Sequence, residues 1–99
     1  MADVLLTLHC AAGDTDIIAE VVRNACAAPL HIRPERVRGR DFEDAVTAEK
    51  VSGELRRSAL ELIVDDKRIA ALLEVIGGCR KASPVRWRAT PIVDHGRIP

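Results

Sequence analysis

Six side chains in this 99-residue chain are of the types that hold soft metal ions: His9, Cys10, Cys26, His31, Cys79 and His95. No pair of cysteines has the C-x-x-C spacing of a zinc or redox site, and their number is odd. His9 and Cys10 are neighbours, so on a strand they point to opposite faces and cannot both join one site within a chain. Cys26 falls on an apolar helical stripe, where a thiol usually acts as a small hydrophobe. The expectation is core cysteines and ordinary histidines. Symmetry offers the exception: His9, His31 or His95 repeated around an axis of an oligomer would make a metal site from a single residue.

Arginines form the second set. The stretch "VRGRDFEDAVTAEKVSGELRR" is entered past Arg36, Arg38 and Arg40 and left through Arg56 and Arg57, while Asp41, Glu43, Asp44 and Glu49 make its middle acidic. From Gly77 onward Arg80, Lys81, Arg86, Arg88 and Arg97 face one acid, Asp94. Guanidinium groups match phosphate and carboxylate geometry. The arginines at the ends of the stretch and on the last strand could therefore form an anion site, and Gly77, Gly78, Arg80 and Lys81 could hold an anion after the second helix; Arg38, Arg40, Gly78, Arg80, Lys81 and Arg97 are the candidate anion ligands. The competing assignment is a solvated charged face with ion pairs to Asp41, Glu43 and Asp44. No G-x-S-x-G, P-loop or nucleophile flanked by a base and its orienter is present, so no catalytic residue is expected. The sequence names no cofactor.

These residues need elements to hold them. Val4 to Cys10 is apolar on both sides of a two-residue period and reads as a central strand. Asp14, Thr15 or Asp16 can cap a helix whose stripe is Ile17, Ile18, Val21, Val22, Ala25 and Cys26, ended by Pro29. Leu30 to Arg38 reads as a strand in which Pro34 marks a bulge or an edge position. Arg57 to Val64 alternates again. Asp65 or Asp66 caps a second helix with Ile69, Leu72, Leu73 and Ile76 on its stripe and Gly77-Gly78 as its C-cap. Val85 to Thr90 is the last strand, with Arg86 and Arg88 on one face and Val85, Trp87 and Ala89 on the other. The order β-α-β-β-α-β is that of a ferredoxin-like plait in one α+β domain, residues 1–99: a four-stranded antiparallel sheet with both helices on one face. About 18 residues separate the second and third strands, far more than an ordinary hairpin loop holds. The two-sided apolar pattern of Val4 to Leu8, with Ile63 and Trp87, predicts an open sheet face apolar enough to drive oligomerisation.

Composition excludes several classes. Hydrophobic residues are 47%, so a core is available, but aromatics are only 2%, and Val, Ile, Leu and Ala must build it. The formal net charge is zero, which argues against general nucleic-acid binding. No run approaches the length of a membrane span, and "MADVLLTLHCAAG" lacks the basic start of a signal peptide. A cytoplasmic protein with reduced thiols is expected.

The plait, the long connection and the segments "VLLTLHC", "TAEKVSGELRR" and "VDHGRI" together resemble the PII-like signalling superfamily, and more closely a small PII-like branch of it. The resemblance covers nearly the whole chain. It implies a homotrimer with sheets facing inward, ligand clefts between subunits, and a loop from residue 38 to 57 that reports ligand to a membrane transporter or regulatory protein. Phe42, Thr47, Glu49 and Lys50 would be that loop's partner contacts. Related PII-like genes often lie beside heavy-metal efflux systems, so metal stress is the implied context. CutA proteins share the trimeric architecture, and a CutA-like metal-binding trimer is the alternative reading; a small ferredoxin-like dimeric enzyme is the next. The departures are two. The glycine- and lysine-rich phosphate loop of nucleotide-binding PII proteins is replaced by "GGCRKASPV", and with no Tyr in the chain a tyrosine modification site is impossible.

Overall fold

The computed structural model describes residues 2–38 and 53–99. The elements run β1 (Asp3–Ala11), a 3-10 turn (Ala12–Asp14), α1 (Thr15–Ala25), β2 (His31–Arg38), β3 (Glu54–Asp65), a second 3-10 turn (Asp66–Arg68), α2 (Ile69–Gly78) and β4 (Arg86–Pro91). The sheet has the order β2-β3-β1-β4, and every neighbouring pair is antiparallel. This is the ferredoxin-like plait expected from the sequence.

Alternation along the strands makes the core. Leu6, Leu8 and Cys10 of β1 and Leu60, Leu62 and Val64 of β3 point to the helix side and meet Ile18 and Val22 of α1 and Leu72 and Ile76 of α2. Leu6, Leu8 and Leu60 are 0% exposed. Each such leucine, fully buried, stabilises the fold by roughly 1.5–3 kcal/mol. Burial also raises the pKa of the Cys10 thiol, which leaves that group protonated and inert.

Some local expectations change. β3 begins at Glu54, three residues before the start read from alternation at Arg57. Asp14 stands at the N-cap of α1, yet its side chain makes no cap hydrogen bond there; it has another use, described below. Asp65 caps the 3-10 turn before α2 rather than α2 itself, accepting from the Lys67 amide at 3.0 Å; the N-cap of α2 is Arg68, with no side-chain cap bond. That hydrogen bond is the main cause of its lowered pKa. The glycine pair does not end α2 by a left-handed turn: the helix runs through Gly78, and Cys79 is the extended C-cap. Among the described residues only Gly53, at the entry to β3, has a positive φ (70°).

The open sheet face is also different from expectation. Trp87 does not lie on it. Trp87 pairs with Leu8 across β1 and β4 and sits on the helix side, beside Leu73, Ile76 and Val85, half exposed. The open face carries Leu5 and Ile63 at one end and Val37 and Leu55 at the other, with charged and hydroxyl side chains between them. Its apolar character is thus confined to the two ends of a polar band.

Candidate functional site

Register alone assembles that band. Across the sheet, His31, Glu61, Thr7 and Arg88 share one row, Arg33, Ala59, His9 and Arg86 the next, and Glu35, Arg57 and Ala11 the one after. Within the first row Thr7 donates from Oγ1 to Glu61 Oε2 at 2.8 Å. Diagonal contacts then link rows, and Arg33 donates from Nη1 to the other Glu61 oxygen. The Arg33 bond, with Thr7 behind it, pulls the Glu61 carboxyl below the usual carboxylate range. His9 Nδ1 meets Glu35 Oε1 although β1 and β2 are not neighbours. The strand between them carries Ala59 in that row, 0% exposed. Only a small side chain there leaves room for the bridge above it.

At the end of the band the β2–β3 ribbon runs out toward the long connection. Glu54 receives two guanidinium groups, Arg36 Nη2 at 2.9 Å and Arg38 Nε at 3.0 Å. These bonds, Arg36 first, hold its pKa at about 2. Arg56 faces Arg36 across the two strands, so like charges sit side by side there. A cavity of about 400 Å³ lies on the open face, walled by His9, Glu35, Arg57, Arg86 and Arg88 with Val37, Leu55 and Pro84 as its apolar part. Another, of about 610 Å³, lies against Arg36, Glu54, Arg56 and Arg57. Arg57, only 6% exposed, borders both. Among the described residues the two walls hold five arginines and two glutamates. Such a concentration of guanidinium in a partly enclosed place suits a small anion.

The candidates read from sequence are distributed as follows. Arg38 is at this root, engaged with Glu54. Arg40, Phe42, Thr47, Glu49 and Lys50 lie outside the described residues. Gly78 ends α2, and Lys81 Nζ donates to the Gly77 carbonyl at 3.3 Å beside Trp87, away from the root. Arg80 and Arg97 are exposed. The histidines do not converge within a chain: His9 binds Glu35, His31 is exposed on β2, and His95 Nε2 lies 3.0 Å from Asp3 Oδ2. Among the described residues no group of three His, Cys, Asp or Glu side chains is placed to hold a metal ion. A nucleophile partner for His9 is not supplied by Thr7, whose hydroxyl is given to Glu61. Sequence reasoning missed Glu35, Glu54 and Ala59. The signal for the first two was the alternation of charge along "HIRPERVR" and "GELRR", legible once the pairing of β2 with β3 is known.

No helix among the described residues is long and apolar enough to cross a membrane. No curated protein matches the chain. Solved structures similar to it include the following. A DUF3240 family protein from Shewanella baltica superposes with TM-score 0.78 at 18% identity, covering 100% of this chain and 99% of that one. A Bacillus cereus protein related to NIF3 gives 0.63 at 10%, covering 96% of this chain but 26% of that one. A PII-like signalling protein from Thermus thermophilus gives 0.51 at 18%, covering 92% and 94%. At these identities the likeness is one of fold. The family model of DUF3240, a protein family of unknown function, matches residues 2–99, and the chain belongs to that family.

Proposed function

We propose that this protein is a PII-like regulatory trimer that binds a small anion at the root of its long β2–β3 connection and signals through residues 38–57 to a transporter or regulatory partner, in heavy-metal stress or efflux. One observation carries the reading: the arginine-rich cavities meet at Arg57 where the ribbon leaves the sheet. Val37 and Leu55, the last open-face residues of β2 and the first of β3, form part of the wall. An anion bound there touches the stems of the connection directly, so occupancy and loop arrangement are coupled by contact. The fold shared with a PII-like signalling protein is compatible with this use.

Calorimetry with inorganic phosphate, pyrophosphate and ATP tests it. At least one should bind, and Arg86→Gln with Arg88→Gln should weaken that binding about tenfold or more, as loss of a charged hydrogen bond predicts. Bound ligand should also slow amide exchange across residues 38–57. Binding indifferent to both arginines, or no binding by any of the three, overturns the reading.

A further inference from the structure

Asp14 is 3% exposed and lies at the end of the 3-10 turn that follows β1. It does not cap its own helix. Its carboxylate reaches 68 residues along the chain to the connection between α2 and β4. There the Ala82 amide donates to Oδ1 at 3.0 Å and to Oδ2 at 3.1 Å, and the Ser83 amide donates to Oδ2 at 3.1 Å. Successive backbone N–H groups converging on one negative group form an anion nest. Here both donors of the nest are used by the same carboxylate. A cavity of about 370 Å³ adjoins it, walled by Ala11, Gly13, Arg56, Arg57 and Ser83. Solvent anions therefore have a route to the nest, and two guanidinium groups border that route.

We propose that the Ala82–Ser83 amides form an anion-binding site that the chain fills with its own Asp14 carboxylate. The site accepts a carboxylate- or phosphate-sized anion whenever that side chain is removed. The internal anion keeps the connection before β4 docked on the β1–α1 turn. It thereby fixes Pro84 and Arg86, which wall the open-face cavity. Asp14 is a positioning residue in this scheme. The inference goes beyond the loop-root reading and uses different donors, so either can fail alone.

Chemical rescue decides it. In nitrogen-15 labelled Asp14→Ala, the Ala82 and Ser83 amide resonances should move upfield, and sodium formate or inorganic phosphate should return them saturably toward their wild-type positions. Sodium chloride at equal ionic strength should not. The same formate titration should raise the Tm of Asp14→Ala and leave that of wild type and of Asp14→Asn unchanged, because their pocket is still filled. If Asp14→Ala is unfolded, formate or phosphate should refold it. Amide resonances or folding that respond no more to formate and phosphate than to chloride overturn the proposal. So does an equal response in Asp14→Asn, which would mean a general salt effect.

Discussion

Ala59 decides what the open face can do, because it is the low point over which His9 and Glu35 meet. Ala59→Leu places three more carbons under that bridge. It should separate the pair and lower stability by about 1–3 kcal/mol, the usual cost of overpacking. Urea unfolding measures the loss, and the His9 ring nitrogen shifts report the separation. Glu54 offers a test by pH. Its folded pKa of about 2 lies below the ordinary glutamate value of about 4.3. A depressed acid pKa means stability that is full above the unfolded value and lost as pH falls through the folded one. Stability should thus decline between about pH 4.5 and 2. Glu54→Gln should be less stable at neutral pH, and its profile should be flatter over that interval. High salt should shrink the difference, since Arg36 and Arg38 are exposed partners. These residues were only half legible. The charges of "HIRPERVR" are plain in sequence, but which arginine meets which glutamate depends on register, and register depends on where β3 begins.

At the scale of elements, the pattern was readable where one face had to be buried. Leu6, Leu8, Leu60 and Leu62 announce β1 and β3 by recurring every second residue, and Leu72 and Ile76 announce α2. Leu60→Ala should cost about 2–5 kcal/mol in urea or thermal unfolding, as for other large-to-small core changes. Trp87→Ala should cost less, because that ring is 50% exposed on the rim of the helix layer. An equal loss in both would mean that Trp87 is covered in solution. Pro34 left a bulge or an edge position open for β2, and the strand lies at the sheet edge, where a residue that cannot donate to a ladder is tolerated. Ends of elements were harder. Asp14 looks like a cap and is one by position, but its carboxylate serves a segment that is distant in sequence, and no local pattern encodes that choice. The start of β3 was missed because "GELRR" has the charges of a loop; its alternation, with Leu55 and Arg57 on the open face, becomes visible only against β2.

At the scale of the molecule, the proposed trimer predicts light scattering with a mass near three chains at micromolar concentration. A monomer or dimer removes it. The charged band on the open face further predicts that any assembly through that face is sensitive to ionic strength, in contrast to one built on an apolar sheet. The strand order has a separate consequence for how the chain comes to be. Among the described residues β1 pairs only with β3 and β4, and β2 only with β3. Each of these ladders needs residues from Glu54 onward, and β1 and β2 are not neighbours in the sheet. A ribosome that has delivered β1, α1 and β2 has not yet delivered the strand that joins them. Structure must wait for β3, which then organises both earlier strands at once, and the ladder between β1 and β4 closes nearly the full length of the chain. Such distant pairings make folding slow for a domain of this size. They also make β3 the segment whose arrival turns a nascent chain into a protein.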